Sequence, residues 1–567
     1  MTEKKSSKIT DVSGAKLVLD SLADHGITHI FSVPGREAEG VLFNETPDLK
    51  MILTATEFTA GFAAYAYSIM SGTTQAVFST LGPGAANLAN AIYSAYADRV
   101  AVLFITAQVE QEIRYYNHTH QCVDTVKMYD SVTKFAYEIN DIKEVRDIIS
   151  KAIEITQTEP KGPALISVPI DILKEKIPYE ENHIVTASDK TIGLDSNMAA
   201  IDNVASVLEN AKQPLIFVGN EVIRSGSTSL IRQLCETYNL PVVFAFDSKG
   251  ILPDDHALNY FTCSSYAKGI LDVNVDEIIF TPVDCVIAFG YDWKDQVYPN
   301  KQFSCGTDKT LISFSGAMPD EISPFFTQIQ GDLKTNLEFL LDKLAERYLP
   351  PKKLYDITPI KDAIRRKLSS LESLEGGVNI ISIINLINDT SAMLVADIGT
   401  FRQYAVLFSK PKTPKHFLTS AGSSSFGTGL SMGLGVRLAN PDPQTKIVVL
   451  AGDGGFNASA GDLRTCKNLD LDIVVIVVNN NKNGLIGIYQ ENGHGQTYPP
   501  AFDHAGASFV TIAEGYRCRG FEASSIEELR NKLEHAFEIG GTVVIEVPVY
   551  YPREDVKRLT KGITVTD

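Results

Sequence analysis

The sequence predicts an α/β fold: three doubly wound domains, each built on a parallel sheet. Three observations predict it. Apolar runs of strand length alternate with helix-period segments along the whole chain. The runs are continuous, as in "DIVVIVVNN", which suits strands covered on both faces. Two polar or Pro-rich stretches, "PYEENHIVTASDKTIGLDSN" and "LPPKKLYDITP", interrupt the pattern and divide the 567 residues into parts of similar size.

The first domain is expected over residues 1–183. "AKLVLDSLADHG" has helical spacing with a Gly stop, and "ITHIFSVPG" is a strand ending in a turn. "EFTAGFAAYAYSIMSG" is a helix rich in small residues, and "QAVFSTLGPG" and "RVAVLFITAQ" are further strands. "GPALISVPIDIL" closes the unit. The second domain, 198–350, restarts with "MAAIDNVASVLENAKQ" and "PLIFVG" and runs through "PVVFAF", "DCVIAFGYD" and "KTLISFSG" to a helix ending near Tyr348. The third, 372–553, holds "IISIINLIND", "AMLVADIG", "KIVVLAGDGG", "DIVVIVVNN" and "TVVIEVPV". No short repeat or low-complexity tract is present.

Composition narrows the function. Hydrophobic residues make up 44% and charged residues 21%, ordinary for a globular enzyme. A net charge of −18 argues against nucleic acid or an anionic membrane as the main partner, since both need a basic footprint. The seven cysteines are scattered without a CxxC pair and read as reduced thiols, so a cytoplasmic location is expected. The first residues, "MTEKKSSKITD", lack the apolar core of a secretory signal, and no apolar run would span a bilayer. Small-molecule substrates are therefore expected.

The chemistry concentrates in "AGDGGFNASAGDLRTCKNLDLDIVVIVVNNNKNG", residues 451–484. Asp453 follows one apolar strand and Asn480 the next. Ligands of parallel sheets sit at the carboxyl ends of strands. Gly454 and Gly455 let a ligand approach the backbone, and the helix start that follows them suits an anion. A carboxylate, an amide oxygen and a nearby backbone carbonyl form a hard oxygen site, which suits Mg²⁺ shared with phosphate groups. The plainer reading is a pair of Asx turns. It wins for Gly-Asp-Gly alone, but not when an Asn cluster follows one helix and one strand later.

This arrangement resembles the GDG…NN motif of thiamine-diphosphate enzymes. The resemblance implies Asp453, Asn480 and the Lys482 carbonyl as Mg²⁺ ligands, with Asn483, Gly484 and Leu485 offering backbone donors to the diphosphate. Thiamine chemistry also needs a carboxylic acid at the pyrimidine N1′. Glu57, in "TATEFTAGFAA", matches the family's activating glutamate; by itself it would read as a first-turn acid complementing the helix dipole. "STLGPGAANLANAI" matches a turn that puts Gly82, Pro83 and Asn87 near the pyrimidine. "TSAGSSSFGTGLSMGLG" matches the segment beneath the cofactor, with Phe426 as the bulky residue between the rings and Ser424 and Ser425 as backbone contacts. In this family the cofactor lies between the first domain of one subunit and the third domain of another. A homodimer is then the minimum, and a homotetramer is common. No flavin is expected, because no GxGxxG follows a strand in the middle domain.

The layout is similar to the acetohydroxyacid synthase and pyruvate oxidase group. Within it, "GREAEGVLF", "NHTHQCVDTV", "SKGILP", "DIGTFRQYAVLF" and "TSAGSSSFG" resemble N2-(2-carboxyethyl)arginine synthase. That resemblance implies joining glyceraldehyde 3-phosphate to the amine of an amino acid through an acryloyl-thiamine adduct. His120 and Gln121 would then handle protons. Arg36 and Arg402, each after a strand tip, would grip a phosphate or carboxylate, and Tyr266, Asp292 and Asp295 would line the acceptor pocket. Gln296 stands where an acidic partner for arginine is expected, which points away from arginine itself as acceptor. The alternatives are an acetolactate synthase that condenses pyruvate with a 2-oxo acid, and an inactive subunit that retains the cofactor as a scaffold.

Overall fold

The computed structural model describes residues 10–36, 39–42, 49–114, 120–179, 197–264, 266–292, 309–316, 327–369, 378–501, 503, 505–551 and 558. They fall into two compact units. One lies within 1–190 together with 434–440 and 464–468; the other lies within 191–433, 441–463 and 469–567.

The first unit carries β1 (Thr10–Ser13), β2 (His29–Ser32), β3 (Lys50–Leu53), β4 (Gln75–Ser79), β5 (Val102–Gln108), β6 (Phe135–Glu138), β7 (Ala164–Pro169) and β8 (Lys176–Tyr179). β3-β2-β4-β5-β7-β6 form one sheet, parallel throughout. β1 and β8 make a separate antiparallel pair. The central strands β4, β5 and β7 are buried at every position, as continuous apolar runs require when helices cover both faces. The helix Val145–Gln157 shows the matching pattern: Val145, Ile149, Ala152, Ile153 and Thr156 are buried, at the three-to-four-residue spacing of one helix face.

The second unit holds two sheets. β9 (Pro214–Val218), β10 (Val242–Phe244), β11 (Asn259–Thr262), β12 (Cys285–Phe289), β13 (Thr310–Ser315) and β14 (Thr327–Gln330) pair in the order β11-β10-β9-β12-β13-β14, all parallel. β15 (Val378–Asn379), β16 (Met393–Ala396), β17 (Phe417–Leu418), β18 (Ile447–Gly452), β19 (Ile473–Asn479), β20 (Arg519–Glu522) and β21 (Thr542–Tyr550) pair in the order β15-β21-β19-β18-β16-β17, with β20 also on β21. These pairings too are parallel. One apolar core runs through both sheets, from Leu215 and Phe217 to Ile545 and Val547. The three parallel sheets are those the sequence predicts. "IISIINLIND" forms the helix Ile380–Thr390, capped by Asn379, whose side chain accepts from the Ile381 N–H.

Among the described residues no helix is long and apolar enough to cross a membrane. The cysteines described, Cys122, Cys235, Cys263, Cys285, Cys466 and Cys518, are free thiols. Burial pushes the Cys285 thiol up to about 12, which makes it a poor nucleophile.

Candidate active site

The third sheet sets the stage. Its order puts the carboxyl ends of β21, β19, β18 and β16 side by side. Tyr551, Asn480, Asp453 and Asp397 stand just past those four ends. A cavity of about 230 Å³ opens there. Its walls include Ile398, Gly399, Thr400, Phe426, Asp453, Gly454, Gly455, Asn480, Lys482, Asn483, Gly484, Leu485 and Tyr551.

Asp453 is 5% exposed and opens the helix Asp453–Ser459. Its Oδ1 accepts from the Gly454 N–H at 2.8 Å, and its Oδ2 accepts from the Lys482 N–H at 2.9 Å. The second bond ties the tip of β18 to the loop after β19. Asn480 therefore faces the same space, as the sequence pattern requires. The Lys482 carbonyl accepts from the Gly484 N–H at 2.9 Å, which leaves it a second lone pair. The Lys482 ammonium instead pairs with Asp503 at 3.3 Å. The helix Gly484–His494 starts at the cavity, with its positive end toward it. Burial pushes the Tyr551 phenol up, and the Asp453 charge adds to the effect.

The opposite wall is an irregular turn. Ser424 has φ of 49° and Gly427 has φ of 82°, so the backbone is left-handed on both sides of Phe426. At Gly427 a side chain would be strained, and its Cβ would lie 2.9 Å from that of Ala458. Phe426 is 57% exposed and lines the cavity. This donor set fits a metal-bound diphosphate: one buried carboxylate, an amide, a carbonyl with a spare lone pair, glycines that clear the floor, and a helix start. Among the described residues no three His, Cys, Asp or Glu side chains converge on a point, and an oxygen site with a single carboxylate does not need them to.

The first unit gathers a second group. The helix Glu57–Ser71 is capped by Thr56, whose side chain accepts from the Thr59 N–H at 3.1 Å. Glu57 is thereby held at the first turn, only 8% exposed, with Oε2 accepting from Asn87 Nδ2 at 3.0 Å. Thr80 sits between the Gly35 and Gly84 backbones: a Cβ on either glycine would meet it at 3.0 Å or less. Gly84 also borders Glu57, since a Cβ there would lie 3.2 Å from Oε1. Gly82 has φ of 58°, and a Cβ on it would strike the Gln121 backbone oxygen at 2.8 Å. The structure thus brings Glu57, Gly82, Pro83, Asn87 and Gln121 together, with Arg36 on the adjoining segment. His120, Gln121 and Arg36 are exposed.

Arg402 lies elsewhere than the sequence suggests. Its side chain is 2% exposed, with Nη1 donating to the Ser420 carbonyl at 2.9 Å and to Ser424 Oγ at 3.4 Å, and it stacks over Phe246. It braces the turn beneath Phe426. Replacing it with Ala should lower the unfolding free energy by about 1–3 kcal/mol, because the Ser420 carbonyl loses its donor in a buried place. Chemical denaturation checks this. Tyr266 is partly buried and neighbours Tyr489, which also feels Arg402. Asp292 is partly buried, just past the carboxyl end of β12. Asp295 and Gln296 lie outside the described residues.

Sequence reasoning missed Asp397 at the buried strand tip, and Ile398, Gly399, Thr400 and Tyr551 in the cavity wall. A signal existed for the first four: "AMLVADIG" ends an apolar run in Asp-x-Gly much as "KIVVLAGDG" does. Tyr551 follows the last strand with no such mark.

Four strand tips that close on an oxygen-donor cavity define a protein that holds a metal-bound diphosphate. Comparison with known families agrees. The thiamine pyrophosphate enzyme N-terminal TPP binding domain matches residues 12–128, the central domain 201–340, and the C-terminal TPP binding domain 397–547. The chain belongs to the thiamine pyrophosphate enzymes, and its cofactors are thiamine diphosphate and a divalent metal, typically Mg²⁺.

It is similar along its length to the acetolactate synthase of Bacillus subtilis (strain 168), at 25% identity over 97% of this chain and 95% of that one. The acetolactate synthase large subunit of Pyropia yezoensis is 26% identical over 95% and 92%. The probable acetolactate synthase large subunit of Methanocaldococcus jannaschii is 26% identical over 98% and 95%. These names overturn the expected reaction, the joining of a phosphorylated triose to the amine of an amino acid, and favour the acetolactate synthase alternative. The reason is visible in the fold. "DIGTFRQYAVLF" and "TSAGSSSFG", which carried that expectation, contribute Ile398, Gly399, Thr400 and Phe426 to the cofactor cavity.

Proposed function

We propose that the chain is the catalytic subunit of an acetolactate-forming carboligase. Pyruvate loses its carboxyl group as CO₂, and the remaining two-carbon unit forms a carbon–carbon bond to the carbonyl of a second 2-oxo acid. The observation that carries this reading is similarity, over nearly the full length of both chains, to proteins named acetolactate synthase. When bound, thiamine diphosphate would supply a nucleophilic thiazolium carbon for the pyruvate carbonyl and a cationic ring to delocalise the electron pair left by CO₂.

This chain's residues do the rest. Asp453, Asn480 and the Lys482 carbonyl hold the Mg²⁺, while Gly454, Gly455, Asn483, Gly484 and Leu485 present backbone to the diphosphate. Phe426 would wedge against the rings of the cofactor, with Ser424 and Ser425 beside it. Glu57 holds a proton at the pyrimidine N1′, in a pocket formed with Gly82, Pro83 and Asn87. His120 and Gln121 move protons during addition and release. Arg36 is the cation placed to meet a 2-oxo acid carboxylate. Two copies of the chain are needed in this reading, one giving Glu57 and the other Asp453; a homotetramer pairs two such dimers. A cytoplasmic location suits the free thiols.

The test is incubation with pyruvate, Mg²⁺ and thiamine diphosphate. The expected result is one acetolactate and one CO₂ for each pair of pyruvates. Release of CO₂ with acetaldehyde alone, or no turnover by a protein that binds the cofactor, would overturn the proposal.

A further inference from the structure

Asp397 has no part in the metal–diphosphate motif, yet it touches three segments of the cavity floor. It follows β16, so it occupies the strand tip beside that of Asp453. The side chain is fully buried. Oδ1 accepts from the N–H groups of Ile398 at 2.6 Å, Gly427 at 2.9 Å and Thr428 at 3.3 Å. Two glycines close around the rest of it. A Cβ at Gly429 would lie 2.8 Å from the Asp397 Cβ, and one at Gly455 would lie 2.6 Å from Oδ2. Oδ2 itself meets no donor among the described residues.

A buried carboxylate with an unused oxygen is unfavourable in itself. Burial pushes this carboxyl up to about 6, against the pull of the Ile398, Gly427, Gly429 and Thr428 N–H groups. What the arrangement achieves is a clamp. Phe426 is largely exposed and sits between left-handed residues, so neither packing nor a regular ladder holds it. The bonds from Gly427 and Thr428 to Asp397 tie its C-terminal side to β16, as the Arg402 bonds to Ser420 and Ser424 brace its N-terminal side.

We propose that Asp397 is a positioning residue for the cofactor cavity: it fixes the Phe426 turn and the Gly455 backbone against β16, and so sets the spacing between the wedge and the metal-binding tip. This rests on the cavity receiving the cofactor's diphosphate end, and not on the identity of the substrate.

The experiment compares Asp397→Ala and Asp397→Asn with the wild-type chain. Thiamine diphosphate binding with Mg²⁺ is measured by calorimetry, and amide hydrogen exchange is measured on the protein without cofactor. In Asp397→Ala the Gly427 and Thr428 amides should exchange at least about ten-fold faster, and cofactor affinity should fall about ten-fold, as when a supporting partner of a metal site is lost. Asp397→Asn keeps a carbonyl acceptor of the same shape and should recover most of both. Asp397→Ala with wild-type exchange at those amides and wild-type affinity overturns the proposal, even with a lower melting temperature. An Asp397→Asn that recovers neither also overturns it. Where Asp397→Ala does not fold, Gly455→Ala takes its place: it leaves the carboxyl intact but drives a Cβ into Oδ2. The same loosened amides and weakened binding are expected, and unchanged values overturn the clamp. A wild-type chain that binds no thiamine diphosphate would instead refute the cavity assignment on which the clamp rests.

Discussion

Asp453→Ala should abolish Mg²⁺-dependent binding of thiamine diphosphate. The side chain is the one buried carboxylate among the residues that wall the cavity, and both its oxygens are already oriented by backbone N–H groups. Removing it takes away the strongest oxygen donor to the metal. The Lys482 N–H also loses its acceptor, so the loop after β19 is freed from β18. Two losses fall on one site. Without the metal, a diphosphate meets a chain of net charge −18. Affinity should fall by at least roughly 100-fold, the upper end of what loss of a supporting partner costs a metal site. Calorimetry with and without Mg²⁺ measures this. Unchanged affinity would sink the metal assignment.

Glu57→Gln should leave the fold and cofactor binding nearly intact while removing most activity. Gln keeps the size of Glu and can still accept from Asn87 Nδ2, so the helix start and the pocket at Gly84 survive. What it lacks is an acidic proton to share with the pyrimidine N1′. General acid–base assistance is typically worth about 10²- to 10⁴-fold, and the loss should fall in that range. The direct readout is exchange of the thiazolium C2 proton, followed by NMR. Exchange at the wild-type rate would remove Glu57 from the chemistry, whatever the turnover number shows.

Much of this protein was determined by local sequence. Strands such as Ile473–Asn479 are near-continuous β-branched runs, and a chain that buries them on both faces must be a parallel α/β sheet. The metal–diphosphate motif was legible because two of its residues stand at strand tips, where apolar periodicity stops abruptly. Glu57 was singled out by resemblance to the family's activating glutamate, since its local setting at the start of a helix of small residues reads by itself as a first-turn acid. Tertiary structure decided the rest. The neighbourhood of β16 and β18 is a matter of strand order, which no local pattern carries, so Asp397 beside the Asp453 tip emerges only when the sheet is assembled. Arg402 follows a strand tip in sequence, but its helix turns it inward onto the Ser420 carbonyl, and position after a strand does not specify side-chain direction. Substrate choice is less local still. Two of the stretches that suggested a particular reaction line the third-sheet cavity, and residues that serve a shared cofactor carry little information about what reacts on it.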